Sequence, residues 1–471
     1  MAVSALITGC SLAPRYQQPS TTPVAEYKEA GDWMPAHPPS AADLHGSWWE
    51  AFGDPRLSEL EKQLGEANLD VRAAVARFEQ ARAVATRARS DVFPSLGADA
   101  SAKRSRSSAN APLASILGGH PVTQNDFIAG LNLSWEIDLF GRLRNAAAAA
   151  GAQAQASAAD FAAVQLSLQA ELASDYFSAR GADATITLLE DTIKTYDHAY
   201  ELTRNRYQEG VAAATDVDQA DTQRQNARAQ LAAVRRDRAQ LEHAIAVLLG
   251  QVPSAFTLEP GPLAAAPPAL DAPLPSTLLQ RRPDVASAER AVAAANAQIG
   301  VARAAWFPVF TLTGAAGYES VLASNWMKAP SRFWSAGPSG QIPLLDFGAR
   351  SALNAQARGA YEETVANYRK TTLVAYQEVE DSLAGLHHLA EERAADEAAS
   401  ASAQRSAYHA DQRYNSGVAD YIEVTSTHTA ALQAQRDTIS ARVAELNAAV
   451  ALVRASGGGW TRDQLEHPQL P

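Results

Sequence analysis

The stretch NDFIAGLNLSWEIDLFG, from Asn125 to Gly141, decides the fold. Phe127, Ala129, Leu131, Leu133, Trp135, Ile137 and Leu139 fall on one side of it, and Asn132, Ser134, Glu136 and Asp138 on the other. A period of two marks a strand with one apolar face and one wetted face. Val92–Ser105 reads as its partner, and Trp306–Glu319 and Phe333–Leu345 read as two further strands. Aromatic residues gather there: Phe93, Phe127, Trp135, Trp306, Phe307, Phe310, Tyr318, Trp326, Phe333 and Trp334. Membrane barrels carry such girdles at both interfaces. Four strands close no barrel, and lipid accepts no open sheet edge. If this sheet lies in a membrane, several chains must share it; three chains would supply an even twelve strands. The other outcome is a small soluble sheet packed on helices.

Outward from this stretch, the chain repeats itself. Asp70-Val71 through Phe93-Pro94 recurs as Asp284-Val285 through Phe307-Pro308, an offset of 214 residues (93 to 307). Phe140-Gly141 recurs as Phe347-Gly348, and Arg206-Tyr207-x-x-Gly210-Val211 as Arg413-Tyr414-x-x-Gly417-Val418, an offset of 207 (206 to 413). The slippage lies between Pro94 and Phe140, where hairpin loops tolerate changes of length. The period is too long for a solenoid, so the chain holds two tandem copies of one unit. In each copy a helical segment leads to Phe-Pro, a β-patterned stretch, a very long helix, a tight turn and a returning helix.

From Arg142 to about Glu209 there is no proline and alanine abounds. At 1.5 Å per residue such a helix approaches ~100 Å, so it must lie along other long helices. Val217, Ala220, Arg224, Ala227, Leu231, Val234, Arg238, Leu241, Ile245 and Leu248 are spaced alternately by three and four. So are Thr425, Thr429, Leu432, Arg436, Ile439, Val443, Leu446, Val450 and Val453. That spacing predicts coiled-coil packing. Taken alone it also fits a soluble coiled-coil rod.

Bulk composition narrows the class. The 471 residues are 46% hydrophobic and carry a net charge of −12, which argues against nucleic acid as a partner. One cysteine excludes an intramolecular disulfide framework and a multi-cysteine metal site. No run beyond the N-terminus has the roughly 18 apolar residues of a helical span. The sequence opens MAVSALITGC, in which Ile7-Thr8-Gly9 precede Cys10 as in a bacterial lipobox. Cys10 is therefore the expected lipidation site, after a signal-peptide remnant at 1–9. A Pro/Ser/Thr/Ala-rich extended tether then leads to Trp48-Trp49 and Phe52-Gly53-Asp54-Pro55. The expected divisions are this anchored segment (10–55), a first repeat (56–265), a second repeat (266–456) and a tail (457–471).

Gly210 and Gly417 read as left-handed helix ends. Thr215-x-x-Asp218 and Asp420-x-x-Glu423 read as capping boxes for the helices that follow. Asp216, Asp218, Asp221, Asp420 and Glu423 thus crowd one end. Repeated around a ring, they would line a narrow, cation-selective mouth.

These pieces together resemble the TolC-type outer-membrane factor family, in particular its NodT-like lipoprotein branch. The matching residues are Cys10, Trp48-Trp49 with Phe52-Gly53-Asp54-Pro55, Trp135-Glu136-Ile137-Asp138-Leu139-Phe140-Gly141, Arg281-Arg282-Pro283-Asp284-Val285, Arg413-Tyr414 with Gly417-Val418, and Gly457-Gly458-Gly459-Trp460. The resemblance implies a mainly α homotrimer in the outer membrane of a Gram-negative bacterium, with a twelve-strand barrel and a twelve-helix tunnel extending into the periplasm. It implies a passive duct for small molecules such as drugs, docked to a periplasmic adaptor (membrane fusion) protein and an inner-membrane transporter of the RND type. It places the gate on Asp216, Tyr414 and Glu423, and adaptor docking beside Arg206, Tyr207, Gly210, Val211, Arg413, Tyr414, Gly417 and Val418. Where family members often carry a second aspartate, this chain has Ser426.

No enzyme motif is found: no phosphate-binding G-x-x-x-x-G-K-[ST], no H-E-x-x-H and no G-x-S-x-G. His387-His388 reads as a solvated helix face. The expectation is no enzyme, no metal and no cofactor beyond the covalent lipid on Cys10. A lipid-tethered periplasmic coiled-coil scaffold and an outer-membrane channel for polypeptide secretion are the alternatives.

Overall fold

A computed structural model describes residues 11–21, 24, 26–31, 47–110, 118, 120–263, 267–268, 280–466 and 468. Cys10, the signal remnant 1–9 and the repeat boundary at 265/266 lie outside the described residues. In chain order the described elements are α1 (Pro55–Ala67), α2 (Leu69–Ser90), β1 (Ser95–Arg106), β2 (Thr123–Ile137), α3 (Arg142–Gln208), α4 (Ala214–Leu248), α5 (Pro283–Ala304), β3 (Val309–Ser320), β4 (Arg332–Gln341), α6 (Ala349–Asn415) and α7 (Tyr421–Ala455). The duplication is visible in their lengths. α2 and α5 have 22 residues each, α3 and α6 have 67, and α4 and α7 have 35.

The chain divides into two compact units. One comprises 78–157 and 288–368 with the described residues before 21; the other holds the rest. The first unit carries a four-stranded antiparallel sheet in the order β1-β2-β3-β4. Its hairpins share one register: Ser95 faces Ser134 in the first and Val309 faces Gln341 in the second, the offsets of 214 and 207 again. Pairing gathers Leu96, Ala98, Ala100, Leu131, Leu133, Trp135, Phe310, Leu312, Ala316, Trp334, Ala336 and Pro338 on one face. Asp99, Ser101, Asn132, Ser134, Glu136, Thr311, Thr313, Ser335 and Ser339 occupy the other. No residue of the four strands is buried, so the sheet is not packed on the helices as a soluble sheet would be. α2, α3, α5 and α6 connect to its strands at one end, and both hairpin loops lie at the other.

All four strands are shorter than expected: β1 begins at Ser95, not Val92, and β3 at Val309, not Trp306. β2 stops at Ile137, leaving Leu139 outside, because the Asp138 carboxylate accepts from the Arg144 backbone N–H (2.9 Å) at the start of α3. Glu136 meanwhile takes both Nε and Nη2 of Arg142, at 2.9 and 2.6 Å. β4 stops at Gln341, not Leu345; Pro343, beyond it, has no N–H to donate.

The described part of the N-terminal segment, 11–21 and 26–31, is extended, and it is a fastened strap and not a free tether. In the first unit the Ser11 hydroxyl donates to Asn145 Oδ1 (2.9 Å), Arg303 to the Leu12 carbonyl (3.1 Å) and Asn296 to the Pro14 carbonyl (2.9 Å). Tyr16 donates to the Glu289 carboxylate and Gln18 to Tyr368 Oη (2.8 Å). A side chain at Gly300 would collide with Ala13 at 2.7 Å, so glycine is what lets the strap lie flat. In the second unit the backbone N–H groups of Lys28 and Glu29 donate to Glu380 (2.9 and 3.0 Å) beside buried Tyr27.

The second unit explains the remaining motifs as packing devices. Gly53 takes φ 65°, Asp54 caps α1 through the N–H groups of Arg56 and Leu57 (2.9 and 3.2 Å), and Tyr176 donates to the same carboxylate at 2.7 Å. Asn68 donates to the Leu248 carbonyl (2.7 Å), and its counterpart Arg282 donates to the Ala455 carbonyl (3.1 Å). Each copy is thus tied start to finish by the same bond. Arg282 also holds Asp284 (2.6 Å) and Glu378 (2.6 Å). Gly457 could carry no side chain, since a Cβ would lie 2.1 Å from the Arg281 carbonyl oxygen. Trp460 packs with Ala159, Ala286 and Leu465.

The predicted seams hold along α4, where Ala220, Ala227, Leu231, Ile245 and Leu248 are buried. Along α7 one position fails: Thr429 is exposed, its hydroxyl turned to the Thr425 carbonyl (2.7 Å).

Candidate channel gate

The turn from α3 to α4 and the turn from α6 to α7 are built alike. Gly210 (φ 79°) and Gly417 (φ 73°) end the long helices. Val211 N–H reaches back to the Arg206 carbonyl (2.8 Å), and Val418 N–H to that of Arg413 (3.0 Å). Gly210 N–H bonds the Tyr207 carbonyl and Gly417 N–H that of Tyr414, each at 3.0 Å. This paired closure is the Schellman motif, which needs the left-handed residue that glycine supplies. It leaves Tyr207 (49%), Val211 (75%), Val418 (70%) and Ile422 (63%) exposed at the tips.

The capping boxes differ from the sequence reading. α4 begins two residues earlier, with Ala213 at the N-cap, and Asp216 accepts from the Ala213 N–H at 3.3 Å. Thr215 and Asp218 therefore form no box. α7 does begin after Asp420, but that side chain makes no capping bond. Glu423, at the third position, turns to Arg413 instead (2.6 Å). Both acids still sit in a first helical turn, where the helix dipole favours negative charge.

Side chains of the two expected sets, gate and docking, contact one another. Arg413, expected at the docking surface, is the ion-pair partner of Glu423. Arg206, also expected there, stacks on the Tyr414 ring with its guanidinium carbon 4.7 Å from the centroid. Tyr414 packs edge-on to Tyr421 (5.3 Å), within a cluster of Ala220, Ala410, Tyr421 and Val424. The Tyr414 hydroxyl has no hydrogen-bond partner among the described residues. Tyr421 is pushed up to about 12, by burial first and then by neighbouring Tyr414, Tyr196, Asp411 and Asp216. A cavity of about 370 Å³ lined in part by Tyr196, Tyr408, Asp411, Tyr414 and Tyr421 leaves these rings room to move. Ser426 is exposed and, among the described residues, bonds the Glu423 carbonyl (3.0 Å).

Sequence reasoning missed Tyr421, Arg224 and the His428–Asp411 pair. His428 Nε2 lies 2.9 Å from Asp411 Oδ1, and Arg224 lies 4.1 Å over the Tyr200 ring while pairing with Asp221 (2.6 Å). A signal existed: at the 207 offset Tyr421 answers to Ala214 and His428 to Asp221, places where the two copies disagree. His387, His388 and Glu391 bring three donor atoms within 4.8 Å on a largely exposed helix face. No described helix is long and apolar enough to cross a membrane.

The sequence profile described as "Outer membrane efflux protein" matches residues 60–251 and 274–458. The toluene efflux pump outer membrane protein TtgC of Pseudomonas putida is 34% identical over 467 residues, covering 98% of this chain and 95% of that one. The cation efflux system protein CusC of Escherichia coli is 30% identical over 463 residues, with 97% of each chain covered. Among solved structures, the outer-membrane channel OprN superposes with a TM-score of 0.87 at 30% identity, covering 96% of this chain and all of that one.

Proposed function

The chain belongs to the outer membrane efflux protein family and forms the outer-membrane channel of an efflux system, and from that premise we propose that it is a homotrimeric exit duct for small molecules. The carrying observation is the sheet: one face wholly apolar along its middle, none of its residues buried, both edges unpaired. A barrel wall shared between chains satisfies all three conditions, because only closure removes the edges that lipid rejects. Strands of 10–15 residues also fit a tilted crossing.

In this reading three chains contribute twelve strands and a tunnel of twelve long helices, and the two sequence copies, 56–265 and 266–456, are its alternating staves. Asp216, Tyr414 and Glu423 form the gate. The exposed tips at Tyr207, Gly210, Val211, Gly417 and Val418 receive the periplasmic adaptor, which links the duct to an inner-membrane RND-type transporter. The chain performs no catalysis and needs no cofactor. Cys10 carries the lipid; the strap supports this, since Leu12 is bonded to Arg303, one residue from the end of α5 where the sheet begins. The open face of the sheet argues against the soluble scaffold, and the toluene and cation relatives favour small cargo over polypeptide.

The test is purified protein in planar bilayers. A small cation-biased conductance that rises when Glu423 or Asp216 becomes alanine supports the duct and its gate. No conductance in any form, with the protein recovered in the aqueous phase once the lipid is removed, would establish the scaffold instead.

A further inference from the structure

The two faces of the sheet differ in the charges they carry. On the wet face Lys103 stands opposite Asp126, and Asp99, Glu136 and Glu319 are further carboxylates. The apolar face has no acid on any of its four strands. It does have arginines: Arg104, Arg106 and Arg332, all toward the hairpin-loop end. Their cross-strand neighbours are Asn125, Thr123 and Tyr318, and the Arg332 guanidinium lies 6.0 Å over the Tyr318 ring. All of these arginines are exposed, and none has an ion-pair partner among the described residues.

The helix end of the sheet is arranged in the opposite way. There Arg142 pairs with Glu136 at 2.6 Å, Arg144 with Asp138 at 3.2 Å, and Arg350 with Asp346. A neutralising carboxylate is supplied at one end and withheld at the other. Depth explains how lipid tolerates the unpaired set. From Phe127 to Ile137 the apolar face of β2 runs about 34 Å along the strand. Tilted by about 40°, that spans roughly 25 Å, the height of the lipid-facing band of a barrel. Arg104 and Arg106 pair with Asn125 and Thr123, just past Phe127, and so stand at headgroup level. Arg332 is level with Ala129, just inside Phe127, and its long stem carries the charge outward.

We propose that Arg104, Arg106 and Arg332 bind the phosphorylated headgroup of lipopolysaccharide in the outer leaflet. This rests on the barrel-wall reading above, which turns the helices to the periplasm and the hairpin loops outward. Charge complementarity selects the occupant. Arg104 and Arg106 lie two residues apart on one face, about 7 Å along the strand. Closing the wall edge to edge sets Arg332 of one copy near that pair of the next. Like charges then share a lipid-facing surface that offers no acid, and only an anion from the bilayer can neutralise them. Guanidinium groups take phosphate through two parallel hydrogen bonds, which an ammonium cannot do. A diglucosamine headgroup with two phosphates meets several such groups at once; a phosphodiester lipid offers a single charge. Trp334, 80% exposed, and the Phe127–Trp326 pair (centroids 6.0 Å apart) flank the arginines with rings suited to the sugar and the acyl roots.

Lipid binding by the purified oligomer in detergent tests this. The parent protein should bind bisphosphorylated lipid A at least about tenfold more tightly than the dephosphorylated lipid or phosphatidylglycerol. Replacing the arginines together, as Arg104→Gln, Arg106→Gln and Arg332→Gln, should abolish that preference in protein that still conducts in planar bilayers. Inorganic phosphate in large excess should leave the lipid bound. Equal affinity of the parent for lipid A with and without its phosphates overturns the proposal, and needs no variant. So does a glutamine variant that keeps the preference, phosphatidylglycerol that binds as tightly, or free phosphate that displaces the lipid. Parent protein that neither conducts nor needs detergent overturns the barrel-wall reading itself.

Discussion

Arg413 Nη1 lies 2.6 Å from Glu423 Oε1, bridging the last turn of α6 and the first turn of α7. At the 207 offset the same residues are Arg206 and Asp216, which do not pair: Asp216 turns to its own helix start and Arg206 to the Tyr414 ring. Two copies of one turn therefore hold different contacts. The proposed gate residues Asp216 and Glu423 therefore sit in different surroundings.

Breaking the ion pair should favour the open channel. Its side chains are 54% and 36% exposed, so one pair contributes only about 0.5 kcal/mol. Three copies acting together would shift opening by roughly tenfold. Arg413→Ala and Glu423→Ala should raise single-channel open probability alike, and the double variant no further. Additive effects would show that the two residues act separately.

Tyr414 offers a sharper separation. Its hydroxyl bonds nothing among the described residues, while its ring carries Arg206 and Tyr421. Tyr414→Phe should leave conductance unchanged, and Tyr414→Ala should raise it, with a cation–π contact of about 0.5–1 kcal/mol removed. A large effect of the phenylalanine variant would assign the hydroxyl a role that this geometry denies.

The bonds that close each copy should differ in strength. Asn68→Ala removes a helix cap and one bond to the Leu248 carbonyl, costing about 1–2 kcal/mol. Arg282→Ala removes a buried guanidinium bonded to Asp284, Glu378 and the Ala455 carbonyl and should cost more, about 2–3 kcal/mol, since both carboxylates reach solvent and Glu378 keeps Arg454. Thermal unfolding of the two variants would rank them. Equal losses would mean that the ion pairs add nothing.

A pH dependence follows from Asp175, pushed up to about 6 by burial and then by nearby Glu171. A raised folded-state value means that the neutral acid is the form the fold prefers. Its contribution is complete below about 4 and is lost as pH rises through about 6. Asp175→Asn should match the parent protein near pH 4 and melt higher at pH 7. Glu61, buried with neither oxygen bonded, is raised for the same reason, and Glu61→Gln should behave alike. A gain that is constant from pH 4 to 8 would show that ionisation is not the cause.

The alternation of Asn125–Gly141, the Phe-Pro and Arg-Tyr-x-x-Gly-Val echoes and the three-four spacing were enough to read the strands, the duplication and the long helices. Each of these is a local pattern, and local patterns survive in one dimension because backbone geometry imposes its period directly on the residues. The turn glycines Gly210 and Gly417 were legible for the same reason, since only a left-handed position demands them. What the tertiary structure decided is which partners those patterns meet. Neither the bonds from Asn68 to Leu248 and from Arg282 to Ala455, nor the engagement of Arg413 by Glu423, has a signature in spacing, because their partners are 10 to 180 residues away. The strap at Ser11–Gln18 read as loose because its composition is that of a linker; it is held by side chains on α3, α5 and α6. The sheet shows the division most clearly. Sequence gave each strand two faces, but only pairing aligned four such faces into one continuous apolar surface, since register is set by hydrogen bonds between segments far apart in the chain.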